Sequence, residues 1–317
     1  MKRSKLWLTI SLFLVLLGAV IFTVAMTVAS WDFSALGGLY ETTTHTVGED
    51  VNGISVKSIS ADIRLLPAKD GVCRVVCTEE ENLTHTVTVK DGILSIEVLD
   101  ERSWTDYLLG FTNDEITVYL PKTEYGTLSI DSDTSDIEIS NSFSFSSLKI
   151  AVSTGDVTSG ASVSGDVNIT TSTGDIRLQK LSANAITIET TTGEITLTEI
   201  SATGAITCTL SSGDLTLVGV TCDTLSTTAS TGEAELDTVT VNNMLRIERS
   251  TGDVTVEKSD AAEIVIKTST GDVEGRFLTD KVFIAESSSG DIDVPRTVTG
   301  GRCEITTSTG DIEFEAP

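Results

Sequence analysis

From about residue 131 onward, apolar residues come in alternating pairs on either side of a glycine, and the pattern returns every 19 or 20 residues. The glycines are Gly155, Gly174, Gly193, Gly213, Gly232, Gly252, Gly271, Gly290 and Gly310. Two residues after them stand Val157, Ile176, Ile195, Leu215, Ala234, Val254, Val273 and Ile292. Seven and five residues before them stand pairs such as Val167 and Ile169, Ile186 and Ile188, and Leu245 and Ile247. Period-2 alternation on both sides of a glycine predicts two short strands joined at a corner, each with one face inward. The β-branched bias of the inward positions suits strands, and glycine at the corner permits positive φ.

One such strand pair cannot enclose a core, so equivalent pairs must stack and share one. The prediction is an all-β chain, a parallel β-solenoid or β-helix of 19–20-residue coils over 131–317, with Ser135-Asp136-Ile137 as a degenerate first corner. A weaker corner nine residues before several glycines, as at Gly165-Asp166 and Gly204-Ala205, gives the coil a second side. After Gly310 the chain supplies one more strand, which reads as the open end of the rod, protected by Glu313, Glu315 and Pro317.

Residues 50–130 are strand-like but irregular, as expected of a cap or of irregular first coils. Asp91-Gly92 between two alternating runs predicts a hairpin turn. Trp104, Tyr107, Leu108, Leu109 and Phe111 form an apolar insertion that either folds over the open end or makes an exposed contact.

The N-terminus reads differently. A basic tail over 1–5 precedes residues 6–29, which are apolar and uncharged and long enough to span a bilayer as a helix. The charge asymmetry predicts a transmembrane anchor with a cytoplasmic tail, a linker over 30–49, and an extracellular C-terminal domain, placing the chain in the cell membrane as a single-pass protein. The alternative is a signal peptide cleaved near Ala25, Ala29 or Ser30, which gives a secreted protein.

A formal net charge of −26 argues against nucleic acid as a partner, because a basic footprint is needed for that. The acid is also patterned. Each corner glycine is followed by Asp156, Asp175, Glu194, Asp214, Glu233, Asp253, Asp272, Asp291 or Asp311. Stacking places these carboxylates in a column, where like charges repel. Two accounts offset that cost: each carboxylate caps corner amides while solvent screens the column, or a line of weakly held Ca²⁺ ions bridges neighbouring coils. With one regular carboxylate per corner, no tight site is expected, and no other cofactor.

The five cysteines and two histidines show no metal-ligand spacing. Cys73 and Cys77 lie on one strand face about 13 Å apart at ~3.3 Å per residue, and Cys208 and Cys303 occupy inward positions. No disulfide framework is expected. His45 falls in the linker and His85 in the irregular region, neither beside a catalytic motif. The chain therefore reads as a non-enzyme, with a glycan-active enzyme as the minor alternative.

Thr171-Ser172-Thr173-Gly174-Asp175-Ile176, its relatives at 191–195, 269–273 and 306–312, and Leu120-Pro121 carry a resemblance to the bacterial putative-adhesin family of unknown function. The resemblance covers roughly residues 50–317 and implies a membrane-anchored or secreted β-solenoid at the cell surface; it supplies no site residues. The function expected is a scaffold for adhesion or envelope interactions through its exposed faces, with an extracellular protein or glycan as partner. The alternative is an envelope-sensing or regulatory ectodomain acting through a membrane protein.

Overall fold

The computed structural model describes residues 2–28, 40–80, 82–102 and 114–317. Every strand among them joins one continuous 29-stranded sheet wound into a solenoid. A representative coil runs through Val167–Thr173, Ile176–Gln179 and Ser182–Ala183. Its strands pair in parallel with the next coil, Val167 opposite Ile186, Ile176 opposite Ile195 and Ser182 opposite Ser201. Inward positions therefore stack on their own kind, and the buried Ile, Val and Leu residues merge into a single core along the rod.

The cross-section has three corners rather than two. At the first, Gly174 has φ 145°, and a Cβ there would lie 2.0 Å from the carbonyl oxygen of Gly155. That contact repeats up the stack, so the glycine is fixed both by backbone conformation and by the approach of the adjacent coil. The second corner holds Asp166, Asn184 and Thr203, linked by side-chain hydrogen bonds of 2.8 and 3.2 Å. The third was not expected. It turns through left-handed residues at Lys180, Glu199, Thr238 and Lys258, with φ between 46° and 59°, and at Gly219. Four of these five carry side chains that give no turn signal.

The N-terminal strands are β1 (Tyr40–Val47), β2 (Gly53–Ser58), β3 (Asp62–Pro67), β4 (Cys73–Glu80), β5 (Leu83–Lys90), β6 (Ile93–Asp100), β7 (Glu115–Leu120), β8 (Glu124–Thr134) and β9 (Ile137–Ile139). The first coil, β2 and β3, does not lie outermost. β2 is paired in parallel between β6 and β8, and β3 between β7 and β9. Beyond it the sheet turns antiparallel, through β7, β4 and β1 on one side and β6 and β5 on the other. The hairpin at Asp91-Gly92 forms, both residues having positive φ. Tyr40–Val47, assigned to the linker over 30–49, is strand β1, paired along its length with β4. The apolar insertion of Trp104, Tyr107, Leu108, Leu109 and Phe111 lies outside the described residues.

The C-terminal end shows the same intercalation. Gly301–Thr309 pairs on one side with Val254–Lys267 and on the other with Lys281–Ser289. Ile312–Glu315 likewise lies between Val273–Phe277 and Ile292–Asp293. The open end is therefore the penultimate coil and not the last strand, and Ile292, expected to face inward, is 44% exposed. Phe277, Phe283 and Phe314 lock this order, with Phe277 and Phe314 stacked at 4.9 Å.

The expected transmembrane anchor is corrected. A helix runs over Lys2–Val28. Among the described residues no helix is long and apolar enough to cross a membrane. The single-pass topology, the cell-membrane localisation and the membrane as a partner through residues 6–29 fall with it.

Candidate functional site

The acidic column is where the sequence placed its candidate ligands, and the structure shows how those carboxylates are used. The Oδ1 of Asp156 accepts the backbone N–H of Asp175 at 2.8 Å, and Asp175 Oδ1 accepts that of Glu194 at 2.9 Å. The same bond joins Asp214 to Glu233, Asp253 to Asp272, and Asp272 to Asp311, each at 2.8 Å. Asp311 Oδ1 then receives the N–H of Asp291 at 2.7 Å, following the intercalated coil order. Each aspartate thus caps a corner amide that the tight glycine turn leaves without a strand partner. Glu194 is one methylene longer and turns its carboxylate to the Thr196 hydroxyl at 2.8 Å.

Arg177 braces the column from the short-strand face. Its guanidinium lies 2.7 Å from Asp175, and 3.9 Å from both Asp156 and Glu194. The Glu194 amide and the Arg177 side chain hold the Asp175 carboxyl below the usual range, against the opposing effect of burial.

The short-strand face of the first coils carries two adjoining surface grooves. One is lined by Asp62, Arg64, Asp136, Glu138, Asp156 and Thr158. The other is lined by Glu138, Thr158, Asn141, Gln179 and Lys180, among others. Glu138 and Thr158 belong to both, so the grooves form one polar track across several coils. Arg64 is held in it by Glu115 at 3.0 Å and Glu138 at 3.6 Å.

The N-terminal cap brings together residues that sequence reasoning kept apart. Cys77 and Glu79 point inward from β4, and His85 points inward from β5. All three are buried, and one ligand atom from each lies within 4.8 Å of the other two. The His85 Nδ1 is 3.0 Å from Glu79 Oε1, which also accepts the His85 backbone N–H. Burial pushes the Cys77 thiol up to about 12 and the His85 imidazole below its usual value. Only the i, i+2 spacing of Cys77 and Glu79 hinted at this grouping; His85, six residues after Glu79, is brought to it by the antiparallel turn from β4 into β5. Cys73, Cys208, Cys222 and Cys303 are likewise buried free thiols.

Stacked coils of 19 to 20 residues, with acid-capped glycine corners and one shared core, define a parallel β-solenoid of three-sided section. Within that class, the chain belongs to the Toastrack DUF4097 family, whose model matches residues 51–217 and 204–317. The corner motif's resemblance to bacterial putative adhesins of unknown function thus holds over most of the chain.

Among solved structures, the chain is similar to a putative adhesin from Parabacteroides distasonis ATCC 8503, 17% identical, covering 87% of this chain and 97% of that one with a TM-score of 0.49. A putative adhesin from Bacteroides fragilis NCTC 9343 is 14% identical, with coverage of 87% and 97% and a TM-score of 0.41. A putative lipid binding protein from the same Parabacteroides strain is 14% identical, with coverage of 88% and 98% and a TM-score of 0.41. No curated protein matches the chain.

Proposed function

We propose that this chain is an extracellular envelope-interaction scaffold that binds a polar polymer, a surface glycan or an extended protein segment, along the paired grooves of its short-strand face. The observation that carries the reading is the track sharing Glu138 and Thr158, lined by hydroxyl, amide and charged groups set on stacked strands. Such groups pair with the donors and acceptors of a hydroxyl-rich or peptide ligand, and rigid strands fix their spacing without an ordering cost on binding.

Binding without turnover suits the same groups. Asp62 and Asp136 spend an oxygen each on the backbone amides of Asp136 and Asp156, at 3.0 and 2.9 Å. A carboxylate held as a cap is poorly placed to cycle as a general acid or base, which needs a proton to come and go.

Retention of the purified protein on isolated cell envelopes tests this reading, with the Asn141→Ala/Gln179→Ala double variant alongside. The expected result is saturable retention that the double variant weakens about tenfold, as loss of two polar contacts implies. Equal retention of the variant would overturn the groove, and no retention of the wild type would overturn the scaffold role.

A further inference from the structure

Glu79 is a carboxylate buried at 5% exposure in the N-terminal cap, and His85 beside it is buried to the same degree. Cys77, two residues before Glu79 on β4, is fully buried. A buried carboxylate needs a cation or a full set of donors, since leaving it without either costs several kcal/mol or more. The donors on hand are the His85 backbone N–H and its Nδ1, both directed at the same oxygen, Oε1. The other ring nitrogen, Nε2, has no partner. Asp114, also buried, adds a second carboxylate whose Oδ1 is unpartnered and whose acidity is weakened by burial and then by the charges of Glu80 and Glu79. Arg102, which acts on Asp114, is itself bonded to Asp100 at 2.9 and 3.0 Å. The cap interior therefore concentrates negative charge and lone pairs.

We propose that Cys77, Glu79 and His85 form a metal site for a divalent transition cation, Zn²⁺ in preference to Ca²⁺, that ties β4 to β5. Thiolate, imidazole and carboxylate are a mixed donor set of intermediate softness, which zinc takes readily, whereas calcium requires several oxygen ligands. The three ligand atoms lie within 4.8 Å of one another. Tetrahedral bonds of about 2.0–2.3 Å place donors roughly 3.3–3.8 Å apart, so closure needs shifts on the order of 1 Å. On binding, the Cys77 thiol releases its proton to solvent as the sulfur–metal bond forms, and the imidazole and carboxylate supply lone pairs. No electron is transferred.

A nucleophilic Cys–His–Glu triad would use the same three residues, but the Cys77 sulfur is fully buried and out of reach of a substrate. The metal binds where the Ca²⁺ column was not expected, inside the cap and away from the glycine corners. It staples the two antiparallel extensions that close this end of the rod.

The test uses the full chain, stripped with chelator and titrated with Co²⁺ as a spectroscopic probe and then with Zn²⁺. The expected result is one equivalent bound, tetrahedral visible bands with a thiolate-to-cobalt charge-transfer band, displacement by Zn²⁺, and a higher melting temperature with zinc. Cys77→Ser removes the charge-transfer band and weakens Zn²⁺ binding at least tenfold, while the control Cys222→Ser retains both. Folded wild-type protein without that band, or a Cys77→Ser variant that keeps it, would overturn the site. If Cys77→Ser does not fold, the wild-type spectrum and His85→Gln decide: His85→Gln weakens Zn²⁺ binding at least tenfold, and undiminished binding would overturn the site.

Discussion

Arg249 occupies an inward position in register with Ala229, where neighbouring coils carry small or apolar residues. It is 4% exposed, and none of its three guanidinium nitrogens has a partner. Burial pulls its pKa down, opposed by Cys208 and Asp214. An ionised group in such a place costs several kcal/mol, and an unbranched apolar side chain of similar length fills the same space at lower cost. Arg249→Met is expected to raise stability by about 1–3 kcal/mol, read from urea unfolding. A lower midpoint would mean that ordered water serves the guanidinium.

The corner is the element on which the solenoid turns, and the acidic column shows why aspartate and glutamate differ there. Aspartate reaches the next coil's amide, whereas Glu194 turns to Thr196. Glu194→Asp is expected to cap the Asp214 amide and add about 0.5–1.5 kcal/mol, measured by thermal unfolding. Asp175 sets the pH behaviour of its corner. Its folded pKa is depressed, so its contribution is present above the unfolded value of about 3.9 and is lost as pH falls through the folded value. Asp175→Asn should flatten the stability profile below about pH 4, and an unchanged acid limb in denaturant titrations would remove the cap from that account.

For the whole molecule, intercalation at both ends means that neither the first coil nor the last strand is an edge. Removing residues 301–317 takes out an internal layer and strips Lys281–Ser289 of its only paired neighbour in the sheet among the described residues. Simple sequential stacking would make the same truncation a trimming of the end. Hydrogen exchange on the truncated chain should show lost protection over 281–293 with coils before 254 unaffected; retained protection there would favour sequential stacking.

The periodic sequence by itself determined the parallel coil, its length, the inward residues such as Val167 and Ile186, and the glycine corner, because stacking equivalent units requires the same residue class at the same place. It also set the chemistry of the column, a carboxylate beside every corner amide. Tertiary structure alone decided the third corner, since Lys180, Glu199, Thr238 and Lys258 adopt left-handed backbone under the pull of pairing on both sides rather than by preference. It decided the order of coils at each end as well. Gly290 and Gly310 carry the same corner motif, so either is able to stack on Gly271, and the packing of Phe277, Phe283 and Phe314 selects one. The grouping of Cys77 and Glu79 with His85 is local in sequence, made by the antiparallel turn between β4 and β5, but its burial is decided by the tertiary structure, because only the packed cap turns these three side chains inward.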